Sequence, residues 1–284
     1  MQNRPHCREN IGRVDSPMKA QVTLTSAEAK RLVAKATATH PKVKRALEQG
    51  IVAIGLGTTN AYVIEEILGE KVEKGRYLAG FVDALGTCVV PKEMRLKEVV
   101  IERGSRINES ITAVVERMKP GDVLIKGANA VDARGIAGVM LASEVGGTIA
   151  SIYGIAKARG IDIIIPVTLE KFIPGSLEDI SKEAGINVIS RSTGIPVGIF
   201  PVAGEIITEI EAFKLLFGVE ALPMGAGGIG GGEGSRTFLL KGDAERVEEA
   251  FRTVRIIKGE SAVTPARGKC SECSYTQCPH SGKG

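Results

Sequence analysis

The sequence predicts an α/β protein: a doubly wound, mostly parallel sheet of the Rossmann-like type, with a small C-terminal βαβ unit. Three observations predict it. The apolar run Ile51-Val52-Ala53-Ile54 meets Gly55 and Gly57, and Ala61, Ile64, Ile67 and Leu68 then recur at helical spacing, which reads as buried strand, tight turn and helix. Residues 161–167, Ile-Asp-Ile-Ile-Ile-Pro-Val, make an apolar strand of the kind covered on both faces in a parallel sheet. Strand-like and helix-like segments alternate along the chain, which implies parallel strands joined by right-handed crossovers.

The elements follow in order. Residues 1–20 hold Pro5, Pro17 and scattered charges without periodicity, and read as a disordered leader. Thr25 and Glu28 frame the start of a helix that stops before Pro41, and a second helix begins on Pro41 and ends at Gly50. After the strand–turn–helix at 51–68, residues 76–90 predict strands at both ends, 97–102 a short strand, 110–118 an amphipathic helix and 122–126 a strand. Gly146 and Gly147 open a helix that Gly160 closes. Ser176 caps a helix to Ala184, 187–190 and 197–202 read as strands, and 208–216 as a helix ending at Gly218. A strand at 237–240, a helix at 244–252 and a strand at 254–257 predict the terminal βαβ unit. The expected organisation is therefore a leader (1–20), an anion-binding α/β domain (21–234), the small unit (235–260) and a Cys-rich polar tail (261–284).

Composition narrows the function classes. Hydrophobic residues are 43% and charged residues 25%, ordinary for a globular protein. Aromatics are 4% with no tryptophan, which argues against base-stacking platforms, and the net charge of +4 forms no basic stripe. Nucleic acid is not an expected partner. No window approaches the roughly 18 apolar residues of a membrane span, and the N-terminus has no hydrophobic signal core. The five cysteines, three of them between Cys270 and Cys278, do not form a disulfide framework, so a cytoplasmic protein is expected.

Ligands of such sheets sit at the carboxyl ends of the strands. Gly55, Gly57, Thr58, Thr59 and Asn60 occupy one such end, where small residues admit an anion, hydroxyls donate and the helix amides face it. The plain reading is a tight turn with Thr58 or Thr59 as helix cap. Lys126-Gly127-Ala128-Asn129-Ala130-Val131-Asp132 occupies another: Lys126 and Asn129 can bond an oxyanion or a carbonyl and Asp132 can act as a base, the alternative being a solvated lysine and an Asx turn. Glu170 and Lys171 interrupt an apolar stretch after a buried strand, at a pocket mouth or at the surface. Glu209 and Glu211 read as an ordinary acidic first helical turn. The glycine run 225–234, with Gly228 and Gly230, reads as a phosphate cradle, a flap or a flexible connection. It lacks a dinucleotide fingerprint and a Walker lysine, and the chain carries no nicotinamide or flavin signature.

The tail holds Cys270-x2-Cys273-x4-Cys278-Pro279-His280. Three thiols and an imidazole are a tetrahedral zinc set, and three cysteines also suit an iron–sulfur cluster; the other reading is unstructured reduced thiols.

Residues 54–66, Ile-Gly-Leu-Gly-Thr-Thr-Asn-Ala-Tyr-Val-Ile-Glu-Glu, resemble the first phosphate loop of the ribose-5-phosphate isomerase, glucosamine-6-phosphate deaminase and CoA-transferase-like superfamily. Lys126-Gly127-Ala128-Asn129-Ala130 is similar to its lysine- and glycine-rich loop. The resemblance spans residues 45–240 in element order, and two short motifs carry it. It implies a doubly wound sheet that binds a sugar phosphate, a folate or a CoA thioester. The chain departs from the isomerase pattern: its paired-aspartate motif is absent, and Asp132 stands nearest the expected glutamate.

Two functions are therefore expected. The first is an enzyme, isomerase- or transferase-like, acting on a small phosphorylated or CoA-linked anion as a homo-oligomer, with Lys126, Asp132 and Glu170 catalytic and Gly55, Gly57, Thr58, Thr59, Asn60, Gly127, Asn129, Lys171, Gly228 and Gly230 binding. The second is a non-catalytic small-molecule sensor that signals through its tail.

Overall fold

Glu28 Oε2 accepts the Thr25 N–H at 2.9 Å, and the Glu28 N–H donates to the Thr25 hydroxyl at 3.4 Å. This reciprocal cap satisfies donors that a helix start leaves free, and it sets where the first long helix begins. The structure, a computed structural model, describes residues 17–283. The expected leader lies outside the described residues as far as residue 16.

The chain opens with β1 (Met18–Leu24), α1 (Ser26–Thr39), α2 (Pro41–Gln49), β2 (Ile51–Ile54) and α3 (Thr58–Leu68). A hairpin of β3 (Gly80–Asp83) and β4 (Gly86–Val89) leads to β5 (Val99–Glu102), β6 (Ser105–Ile107) and the short α4 (Ile111–Val114). Then come β7 (Val123–Ile125), β8 (Ala130–Asp132), β9 (Ala137–Leu141), α5 (Gly147–Ala158), β10 (Asp162–Pro166), β11 (Phe172–Ile173) and α6 (Leu177–Glu183). The last elements are β12 (Gly198–Val202), β13 (Glu205–Ile207), α7 (Glu209–Phe217), β14 (Glu220–Gly227), β15 (Ser235–Gly242) and α8 (Ala244–Ile257).

The fold is mixed α/β. Its central sheet has the order β13-β10-β7-β2-β5-β6. The strands β13, β10, β7 and β2 run parallel, and β5 and β6 add an antiparallel edge. Side chains alternate across this sheet. Val52, Ile54, Val123, Ile125, Ile164 and Ile207 face one core with α1, α3, α7 and α8, where Leu32, Tyr62, Phe213 and Val254 are buried. Ile51, Ala53, Leu124, Ile163 and Ile165 face a second core with Ile111, Met118, Ile149 and Ile152. Covering both faces explains why 51–54 and 161–167 are apolar without alternation. Leu32 has no exposed surface. Truncation of such a leucine to alanine costs about 2–5 kcal/mol.

Two further sheets flank this layer. The antiparallel order β1-β15-β14 lies over α8, and β11-β8-β9-β12 carries the hairpin after β7. Among the described residues no helix is long and apolar enough to cross a membrane.

Three expectations are corrected. Met18–Ala20 are not leader but belong to β1, which pairs with β15 from Met18↔Gly242 to Leu24↔Arg236. Residues 187–190 form the end of a turn and irregular chain rather than a strand. Residues 254–257 continue α8, so the C-terminal unit is not βαβ. Val247, Ala250, Val254 and Ile257 fall on one buried helical stripe while Ile256 is 75% exposed, a pattern that a strand would not give.

Candidate functional site

The four parallel strands end on one edge. There the ladder continues past the strands: Gly55 N–H donates to Ile125 C=O, Lys126 N–H to Ile164 C=O and Val167 N–H to Ile207 C=O, each at 3.0 Å. The turns at 55–59, 126–129, 167–171 and 208–209 therefore stand side by side.

Tyr77 pins the first turn. Its hydroxyl donates to Ile54 C=O at 2.6 Å and accepts the Val99 N–H at 3.1 Å, while its backbone carbonyl accepts the Gly57 N–H at 2.8 Å. Asn60 then ties this turn to its neighbour. Its Nδ2 donates to Gly55 C=O at 2.7 Å, and its Oδ1 lies where Gly127 has no side chain; a Cβ there would sit 3.7 Å away. Asn60 is 0% exposed and Thr59 2% exposed, yet Asn60 Oδ1 and Thr59 Oγ1 have no hydrogen-bond partner among the described residues. Among the described residues no side chain caps α3, so its first-turn amides stay open beside Gly57 and Thr58.

Two lysines bracket the second turn. Lys126 Nζ donates to Gly127 C=O at 3.2 Å, and Lys171 Nζ donates to Ala128 C=O at 2.8 Å. Burial pushes both ammonium groups down to about 8. The Glu98 carboxylate opposes this at Lys126, while Lys30 and Lys126 add to it at Lys171. Burial raises Glu98 above the usual carboxyl range despite the Ile111 backbone, Thr148 and Lys126 beside it.

Two glutamates differ sharply. Burial would raise Glu170, but the Lys30 ammonium pairs with it, Ser26 and Lys171 add to this, and its pKa falls below the usual range; Thr168 also donates to it at 3.1 Å. Glu209 is 0% exposed, and burial pushes it up to about 7. Its Oε2 accepts the Leu169 N–H at 2.8 Å, and its Oε1 has no partner among the described residues. Arg236 donates to Leu169 C=O at 2.8 Å and partly offsets the charge.

The glycine run reaches the same edge. A Cβ on Gly234 would lie 2.7 Å from Ser26 Oγ and 3.4 Å from Glu170 Oε2. Gly228 (φ +123°) and Gly230 (φ +59°) are exposed in the loop that joins β14 to β15, and a Cβ on Gly228 would overlap Gly232 C=O.

The structure thus gathers Gly55, Gly57, Thr58, Thr59, Asn60, Lys126, Gly127, Glu170 and Lys171, with Gly228 and Gly230 on the adjoining loop. Asn129 and Asp132 are instead engaged by the β8–β9 hairpin. Asn129 Oδ1 accepts the Met140 N–H at 3.0 Å. The Asp132 carboxylate accepts the backbone N–H groups of Arg134 (2.9 Å), Ile136 (3.0 Å) and Leu177 (3.2 Å), which hold it ionised against its burial. Sequence reasoning passed over Glu209, Glu98 and Lys30. The signal for Glu209 was its place directly after a strand end, ahead of Glu211, which makes the actual cap with Thr208.

The sequence matches no protein-family model and no curated protein.

Proposed function

We propose that this chain is an enzyme that binds a phosphorylated or CoA-linked small molecule at the carboxyl edge of its parallel strands and moves a proton on it. In this reading the sheet works as a doubly wound, Rossmann-like platform of the isomerase, deaminase and CoA-transferase kind. One observation carries it: Lys126 and Lys171 bracket a single glycine turn beside an uncapped helix start, with a carboxyl near neutrality close by.

Each group then has a task. The open amides of α3, Thr58 and the buried Thr59 hydroxyl hold the anion. The lysine ammonium groups face the carbonyl oxygen and stabilise negative charge that develops there. Glu170 stays ionised, and Glu209, raised to about 7, exchanges a proton near neutral pH. Carboxyl groups whose environments push their pKa values apart divide acid and base roles in this way. Asp132 serves as a positioning residue for the β8–β9 hairpin that follows Lys126 to Asn129.

The test is solvent exchange. Sugar phosphates and acyl-CoA esters are incubated with the protein in deuterated water and followed by NMR. Deuterium should enter the carbon next to the carbonyl, and Lys126→Met should abolish that entry. If no compound of either class exchanges, the proton-transfer reading is lost.

A further inference from the structure

The tail is docked rather than loose. Beyond α8, the Glu260 carboxylate accepts from Arg31 Nε at 2.9 Å, and Ala266 N–H donates to Gly75 C=O at 2.9 Å. The Thr264 carbonyl approaches so closely that a Cβ on Gly75 would lie 2.0 Å from it. Arg267 then pairs with Asp83 of β3 and lies over the Phe81 ring at 5.1 Å. These contacts lay the tail along the β3–β4 hairpin.

That docking brings a fourth thiol to the three of the tail. Cys88 of β4, Cys270, Cys273 and Cys278 are all free thiols, and all four line one cavity of about 20 Å³ with His280 and Arg267. A tight fold holds the tail cysteines: Cys273 N–H donates to Cys270 C=O at 3.2 Å, Gly282 N–H to Cys270 C=O at 2.9 Å, and the Ser281 hydroxyl to Cys273 C=O at 2.8 Å. His280 Nε2 is bonded to Thr193 C=O at 3.0 Å. Among the described residues no group of three or more His, Cys, Asp or Glu side chains already stands in metal-holding geometry.

We infer that Cys88, Cys270, Cys273 and Cys278 are the ligands of a single zinc-class metal ion that fastens the tail to the β3–β4 hairpin. Four thiolates are a closed structural set for zinc. The cavity admits about one water, which suits one ion. Binding replaces each S–H proton by a metal–sulfur bond and releases the protons to solvent, with no change in oxidation state. Arg267, on the cavity wall, offsets part of the negative charge of the loaded site. The assignment differs from the set legible in the tail alone: Cys88 takes the place of His280, whose imidazole ties the tail to Thr193.

Metal content and cobalt spectra of the full-length protein test it. Zinc should copurify at about one ion per chain. Cobalt substitution should give tetrahedral visible bands with strong thiolate charge transfer. Cys88→Ser should lose the metal, and His280→Gln should keep it. Zinc should also shield Cys88 from alkylation in the wild-type protein, read by peptide mass mapping, so the result does not depend on how a variant folds. A protein that holds no zinc, a site that survives Cys88→Ser but not His280→Gln, Cys88 alkylated equally with and without zinc, or bound iron with sulfide would each overturn the assignment.

Discussion

Lys171 donates its ammonium group to the Ala128 carbonyl at 2.8 Å, and so joins the turn after β10 to the turn after β7. The contact places a second amine beside Lys126 on the same four-residue loop. Burial makes both amines costly to charge, Lys30 and Lys126 add to that cost at Lys171, and both lysines hold their protons less tightly than free lysine.

Between pH 8 and the ordinary lysine value of 10.5 the unfolded chain carries protons that the folded chain has released, so these groups make stability rise with pH across that window. Lys126→Met should leave the melting temperature at pH 7 unchanged or higher while it weakens ligand binding. With reductively methylated lysines, NMR should show two resonances titrating near pH 8. Each should vanish in the matching methionine variant.

Glu209 has the opposite sign. Its folded pKa of about 7 lies above the ordinary 4.5, so the folded state holds an extra proton between these values. Its contribution to stability is present below about pH 4.5 and is lost as pH rises to 7, on the order of 3 kcal/mol in all. Glu209→Gln should flatten this dependence in denaturant melts at a series of pH values. A variant whose pH profile overlays the wild type would contradict the assignment.

Asn60→Ala should remove the donor that Gly55 C=O uses at 2.7 Å and leave that carbonyl buried. The expected loss is about 1–3 kcal/mol in chemical denaturation. Ligand affinity should fall as well, because the turn that faces the helix start loses its anchor.

Asp132→Ala separates structure from chemistry. Three backbone N–H groups lose their acceptor, so stability should fall by about 2–3 kcal/mol. Turnover per folded molecule should change little, because Lys126 and Glu209 remain in place. A large drop in turnover with normal stability would restore Asp132 as the base.

Local chemistry made much of the fold legible. Thr25 with Glu28, Pro41 with Gly50, and the glycines around 55–57 mark boundaries that the structure repeats, because caps and turns are decided by neighbouring residues. The pairing of β1 with β15 was not legible, since it joins residues more than 200 apart by backbone bonds that no side-chain pattern announces. Residues 254–257 misled because Val254-Arg255-Ile256-Ile257 is too short to distinguish alternation from a helical stripe. At the site, glycine and lysine turns could be recognised by type. The burial that sets Glu209 apart from Glu211 comes only from packing, and Cys88 joins the tail thiols only through the docking of distant segments.

Calorimetric titration of the protein with sugar phosphates and CoA esters, on the wild type and on Lys126→Met, decides whether the strand edge holds an anion. A ligand of the site should bind the wild type, and at about 100 times its dissociation constant it should add roughly 2.7 kcal/mol of stability. Binding should fall by at least tenfold in Lys126→Met while the fold remains intact. A ligand of this class that binds both proteins equally would place the anion site elsewhere and contradict the account.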